Sequence, residues 1–267
     1  MSVAVYAIHH VPKPNLADGT TYVHPIQGGA ALLGKRRDIP KGFLRDDTGP
    51  EGPEYSARNR TWCDVTAHRW VWRNAVEDRV GVCHYRRFLS PYRLSELIER
   101  WPDIKPSNEV YLPPERVREV LASDPSGERL DRMLDAVNFV LPIPRVRPAG
   151  QTIMTEYVGM HRGVDWRAMA QALYAVYPDE AESALDYLRV SRVYNHHHIY
   201  AAQRRSVSAW YEWLMPVLHE TERRVQPPTD QYQARSIGFL AERLWCWWLH
   251  FRPLSHIYVP VLIPEGE

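Results

Sequence analysis

An uncharged, β-branched run at residues 3–8 predicts a buried strand at the start of the chain. It leads into HHVPKPNLADGTTYVHPIQGGAALLG and then FLRDDTGPEGPEYSARN. The Gly, Pro and turn residues of these two stretches predict loop and argue against a helix. Residues 61–74, TWCDVTAHRWVWRN, hold no breaker and predict a helix capped by Thr61 or Asn59. A second buried strand follows at 79–83. Helices are expected at 94–100, 115–121 and 128–136, and VNFVLPIP predicts a strand stopped by Pro142 and Pro144. Asp165 is expected to cap the helix WRAMAQALYAVY, with a further helix at 179–188. Two long helices are expected at 206–224, kinked by Pro216, and at 232–250; HIYVPVLI closes the chain as a strand.

Strands alternating with helices imply an α/β fold, a mostly parallel central sheet with helices on both faces. Ligands of such folds lie beyond the carboxyl ends of the strands. Two sequence features stand at such ends: His9-His10, and His84-Tyr85-Arg86-Arg87 within VGVCHYRRFL. Adjacent arginines are ordinarily surface ion-pair residues. At a strand end they make an anion clamp, because guanidinium groups offer rigid bidentate donors to phosphate. On a continuing strand His84 and Arg86 would face one way, Tyr85 and Arg87 the other.

Composition narrows the field. The 267 residues suffice for a full core, and 45% hydrophobic with 24% charged residues is ordinary for a globular chain. A net charge of +1 argues against capture of nucleic acid or an acidic membrane by bulk charge. Three cysteines without close spacing suggest reduced thiols, neither a disulfide framework nor a zinc site. The first apolar run is too short for a signal peptide, and no apolar run is long enough to span a membrane, so a cytoplasmic address is expected. Most of the ten tryptophans are expected in the core, although some can stack on sugar rings.

Three further constellations carry alternatives. In RDDTG, Asp46 and Asp47 can chelate Mg²⁺ or Mn²⁺, or can satisfy their own turn. In YNHHHIYAAQ, His196 and His198 on an extended segment would project to one side and suit zinc or iron. No third ligand is evident by spacing, so hydrogen-bonding histidines are the expectation. In GFLAERLW, Glu242 and Arg243 sit on an apolar helix, which points to a buried ion pair or to a general base in a cleft.

Taken together, the motifs resemble a bacterial glycosyltransferase-like family known as domain of unknown function 4422. The resemblance rests on Ile8-His9-His10, Ile26-Gln27-Gly28-Gly29-Ala30, Asp46-Asp47-Thr48-Gly49, Ser56 and Asn59. It continues through Cys63-Asp64-Val65-Thr66-Ala67, Trp70-Val71-Trp72-Arg73-Asn74 and Gly81-Val82-Cys83-His84-Tyr85-Arg86-Arg87. Trp213-Leu214, Glu222, Asp230, Tyr232-Gln233, Arg235 and residues 238–244 complete it, in order over nearly the whole chain. The chain departs from the family pattern at His198, where the family has Asn, and at Asn138, where it has Asp. An insertion with Pro50 and Pro53 is a third departure.

The resemblance implies a single GT-A-like domain over residues 1–267, with 1–145 mainly the donor-nucleotide half and 146–267 mainly the acceptor half. Family members serve capsule, O-antigen and exopolysaccharide synthesis, and some transfer galactofuranose. The implied activity is hexose transfer from a nucleotide sugar, expected to be UDP-linked, to a glycan or glycoconjugate acceptor that can be lipid-linked. That would place the enzyme in the cytoplasm, with the inner membrane face as a second station. Under this reading His9, Gln27, Gly29, Asp46, Thr48, His84, Tyr85, Arg86 and Arg87 bind the donor, and His198 and Asn138 the acceptor. Glu242, with Arg243, is the first candidate base of an inverting reaction, and Asp64 the second. The arginines take the place of a metal, with Mg²⁺ or Mn²⁺ at Asp46 and Asp47 as the alternative. A non-catalytic nucleotide- or phospho-sugar-binding module that assists a partner enzyme is the competing reading.

Overall fold

A computed structural model describes residues 3–11, 13, 15–33 and 39–266. Its strands are β1 (Ala4–His9), β2 (Val23–Gln27), β3 (Leu44–Arg45), β4 (Arg79–His84), β5 (Phe88–Leu89) and β6 (Glu109–Leu112). They continue as β7 (Phe139–Pro142), β8 (Arg145–Val146), β9 (Val193–Tyr194), β10 (Tyr200–Gln203), β11 (His256–Val259) and β12 (Val261–Pro264). The helices are α1 (Gly52–Ala57), α2 (Asn59–Trp62), α3 (Val65–Asn74), α4 (Leu94–Arg100), α5 (Pro114–Ala122) and α6 (Glu128–Ala136). Then come α7 (Ile153–Met160), α8 (Gly163–Val176), α9 (Pro178–Val190), α10 (Arg204–Arg224) and α11 (Ser236–Phe251).

A seven-stranded sheet in the order β11-β7-β10-β4-β1-β2-β3 forms the centre. Its pairings are parallel except that β10 runs antiparallel to both neighbours. A small sheet, β5-β12-β6, flanks it. Alternation along β1 sends Ala4, Tyr6 and Ile8 into one core with α3 and α7 to α11. Val5 and Ala7 enter the other, with α4 to α6 and the small sheet. The fold is therefore α/β with helices on both faces. Trp210, Trp213, Trp245, Trp247 and Trp248 are all buried in the first core, with Trp245 and Trp248 stacked at 5.7 Å. Tryptophan here is chiefly structural. Among the described residues no helix is long and apolar enough to cross a membrane.

Several local expectations need correction. Residues 23–27 form a strand despite Pro25, because β3 pairs only with Ile26 and Gln27 and leaves the Pro25 edge without a ladder to break. The turn-rich stretch after Gly49 contains α1, whose Pro53 lies in the first turn, where a missing N–H costs nothing. The expected helix at 61–74 is two helices, broken where Cys63 takes φ +52°. Asp165 lies inside α8 as a buried first-turn residue, with Arg162 at the cap position. The terminal strand is two strands, separated at Pro260 and assigned to different sheets. His197 and His198 form a turn with φ +70° and +48° instead of an extended segment.

Candidate functional site

The carboxyl ends of β1 and β4 lie level, with Ile8 opposite both Ile26 and His84. From there β4 does not continue as a strand. His84 N–H donates to the Arg87 carbonyl at 3.1 Å, and Arg87 N–H returns to the His84 carbonyl at 2.8 Å. The HYRR quartet is thus a tight turn into β5. Strand alternation does not apply, and all four side chains line one cleft. Tyr85 N–H, bonded to the Ile8 carbonyl at 3.1 Å, ties the turn to β1.

The cleft, of about 480 Å³, is also lined by His10, Cys63, Asp64, His197, His198, Tyr232, Arg235, Phe239 and Glu242. That volume lies in the range of small-molecule sites. Gly238 brings α11 against the wall: a Cβ there would stand 2.8 Å from the Cys63 Cβ and 3.1 Å from the Trp62 carbonyl. Residues far apart in sequence meet here because α11, the break at Cys63 and the turn before β10 all converge on the strand ends.

Charge in the cleft is uneven. Among the described residues no carboxylate lies within ion-pair distance of Arg86, Arg87 or Arg235. The Arg86 Nε is buried without a hydrogen-bond partner, and its guanidinium stands 5.0 Å from the Tyr85 ring centroid. Burial, with Arg235 and Arg86 nearby, pushes His10 down to about 4; burial and neighbouring His10, Arg87 and Arg86 push His84 down to about 2. Both imidazoles are therefore neutral donors or acceptors at pH 7.

The two cleft carboxylates differ. Burial and the neighbouring Glu242 charge push Asp64 up to about 7, against the pull of Arg87. Burial also opposes ionisation of Glu242, but Arg243, His197 and Tyr194 together hold it below the usual carboxylate range. Glu242 is already engaged: Oε1 accepts the His197 backbone N–H and Oε2 accepts Arg243 at 3.0 Å. Arg243 is buried outside the cleft, bonded to Glu156 at 2.9 Å and to the Phe239 carbonyl at 3.1 Å.

The other sequence-predicted residues divide clearly. His9 points into the protein, its ring 5.2 Å from Tyr85 and 4.7 Å from Phe43, and its neighbour His10 takes the cleft position. Gln27 is buried and donates to the carbonyls of His9 (3.0 Å) and Gly28 (2.8 Å), locking the strand ends together. Gly29 takes φ +68° against the side chain of Asn59. Its N–H and that of Ala30 donate to Asp46, which also accepts from Ser56 (2.6 Å) and Thr66 (2.7 Å). Asp47 is held by Arg45, and Thr48 by Trp70 and the Arg45 carbonyl. With the Asp46 oxygens accepting four hydrogen bonds, the Asp46-Asp47 pair does not fit a divalent ion. Asn138 precedes β7, which runs parallel to β4 through the antiparallel β10, so it lies at the amino ends of these strands, away from the cleft, bonded to Ser255 at 3.0 and 3.1 Å. His198 does reach the cleft, its Nε2 accepting from Trp210 Nε1 at 3.0 Å. Arg235, Tyr232 and Phe239 are site residues that residue-level reasoning did not pick out; their only signal was membership of the shared motif near the C-terminus.

The model of the family described as Domain of unknown function (DUF4422) matches residues 4–253, and the chain belongs to that family. Among curated proteins no match is found. Among solved structures, the chain is similar to the apo structure of WbbM, a bifunctional glycosyltransferase, at 23% identity and a TM-score of 0.80. The likeness covers 100% of this chain and 46% of that one, so the chain spans about half the length of the protein it matches. The fold is GT-A-like.

Proposed function

We propose that this family member is a glycosyltransferase that takes a hexose from a nucleotide-diphosphate sugar and transfers it to a hydroxyl of a glycan or glycoconjugate. The observation that carries this reading is three guanidiniums, Arg86, Arg87 and Arg235, with no ion-pair partner among the described residues, in one strand-end cleft beside a carboxylate, Asp64, held near 7. Unpaired arginines at such a place are set to receive an anion with more than one charge, and a diphosphate has the matching oxygens. The rings of Tyr232 and Phe239, 5.2 Å apart, offer a stacking face for a base or sugar. UDP is the expected carrier and galactofuranose a candidate sugar. The likeness to a bifunctional glycosyltransferase supports the same reaction class.

In this reading Asp64, not Glu242, is the base. The acceptor O–H proton passes to Asp64 as the oxygen attacks the anomeric carbon from the face opposite the leaving group. The bond from that carbon to the diphosphate oxygen breaks, its electron pair stays on the nucleotide, and the guanidiniums stabilise the charge that develops there. A base near 7 is matched to neutral pH. Glu242, both oxygens occupied, shapes the wall and raises Asp64 through its charge.

Calorimetric titration with UDP, GDP and CMP tests the donor site, with an Arg86→Ala, Arg87→Ala double variant alongside. One nucleotide should bind the wild type, and the double variant should lose about 10²-fold or more, each charged hydrogen bond contributing roughly 1.5–3 kcal/mol. Asp64→Asn should keep that binding and lower transfer by about 10²–10⁴-fold. Failure of every nucleotide to bind sinks the proposal. Binding without transfer or hydrolysis of any matching sugar nucleotide would favour the non-catalytic module.

A further inference from the structure

The small sheet and the turn before β10 meet at a cluster that the transfer reaction does not use. Glu109 opens β6; His196 and His197 lie in the turn. The Nε2 of His197 is 2.6 Å, and that of His196 3.0 Å, from the same oxygen, Oε1 of Glu109. The three donor atoms lie within 4.8 Å of one another. The other carboxylate oxygen is held by Arg145, with the Tyr111 hydroxyl at 3.4 Å, which fixes the direction of the first.

His196 is the informative member. It is 2% exposed, its Nδ1 faces the Tyr194 carbonyl at 3.5 Å, and its Nε2 makes no hydrogen bond. A proton on Nδ1, where the carbonyl can accept it, leaves the Nε2 lone pair directed at a carboxylate oxygen. Two electron-rich atoms so placed, out of water, call for a cation between them. Backbone geometry agrees. Adjacent side chains on an extended segment diverge, and the left-handed conformation of His197 breaks that alternation where the two neighbouring imidazoles meet one oxygen. Such conformations cost on the order of 1–3 kcal/mol each and cluster at functional sites.

We propose that Glu109, His196 and His197 bind one divalent ion of the zinc type. Two imidazoles and one carboxylate are borderline donors that suit Zn²⁺, Co²⁺ or Fe²⁺ and not Mg²⁺ or Ca²⁺, which take oxygen ligands. Three protein ligands leave a fourth position for water. Tetrahedral zinc with ligands at about 2.0–2.1 Å separates donor atoms by roughly 3.3 Å, so the Glu109 oxygen, now 3.0 Å from His196 and 2.6 Å from His197, needs to open by about 0.3 and 0.7 Å. Arg145 orients the ligating carboxylate from behind, as outer-shell partners do. The ion would pin the small sheet to the turn that carries His197 and His198 into the cleft wall.

The test is metal uptake, independent of any nucleotide. Protein stripped with a chelator is titrated with Zn²⁺ and, separately, Co²⁺, and bound metal is measured by elemental analysis. The wild type should take up one ion per chain, raise its thermal midpoint on doing so, and give the visible absorption of tetrahedral cobalt. Glu109→Gln and His196→Asn should weaken uptake by at least about 100-fold, more than loss of an outer-shell partner does. The Arg86→Ala, Arg87→Ala variant should keep its ion, which separates this site from the donor site. Lack of stoichiometric uptake by the wild type overturns the proposal, as does undiminished binding in folded Glu109→Gln and His196→Asn. Should either variant fail to fold, the cobalt spectrum and zinc-dependent midpoint of the wild type decide the matter.

Discussion

Two sets of arginines stand a few residues from the same cleft and live under opposite rules. Arg243 is buried and saturated: Glu242, Glu156 and the Phe239 carbonyl take its donors, and the rings of Tyr157 and Tyr194 flank it at 5.3 and 5.2 Å. Glu156 is in turn held by Arg147 at 2.7 Å. Arg86, Arg87 and Arg235 have no such carboxylates among the described residues. The first set spends its charge on the fold and has none left for a ligand. The second keeps its charge available, and a ligand anion can complete it. A charged residue in a cleft therefore says little until its partners are counted.

Substitutions can break this contrast. The largest effect should come from removing Arg86 and Arg87 together: nucleotide-diphosphate affinity falls by about 10²–10⁴-fold, while chemical denaturation shifts by no more than about 0.5 kcal/mol. Arg243→Ala should do the reverse, lowering folding stability by roughly 3–5 kcal/mol because it leaves the buried Glu156 with Arg147 alone and the half-buried Glu242 without its ion-pair partner. If denaturation shows Arg243→Ala to be neutral, the distinction between the sets fails. Glu242→Gln probes the coupling between them. Without the Glu242 charge Asp64 should ionise at lower pH, so the rising limb of the transfer rate, centred near 7 in the wild type, should move down by about half to one pH unit. The smallest effect is on stability. Asp64 is protonated to higher pH when folded than when unfolded, so the folded state holds the extra proton between about 4 and 7. Stability from this group is present below that window and declines as pH rises through it; Asp64→Asn should flatten the decline in a pH series of melting curves.

Much of this was readable from sequence where the signal is local. The strand before HYRR, the helix at 128–136 and the long C-terminal helices follow from unbroken apolar periodicity, and the place of the arginine pair at a strand end follows from the strand itself. The turn at His84–Arg87 was hidden because it contains no Gly, Pro, Asn or Asp, and no residue in it takes positive φ. Asp46 looked like a ligand-binding residue because a lone Asp-Asp pair does not reveal that Gly29, Ala30, Ser56 and Thr66 will all reach it. Asn138 drew attention by its departure from the family pattern, but the direction of β7 puts it at the end of the strands away from the cleft. Arg235 and Glu109 were not legible, since each acquires its neighbours only when distant segments fold together.

The antiparallel strand β10 has a consequence for synthesis of the chain. It fills the place between β4 and β7, yet residues 200–203 emerge well after both partners. Until then β4 presents an open edge, the kind of surface that invites pairing with another nascent chain. The turn bearing His196 to His198 immediately precedes β10, so the insertion that closes the sheet also delivers one wall of the cleft. The site is thus assembled late, and the insertion that closes the β4 edge is one of its last steps before α11 and the terminal strands are in place.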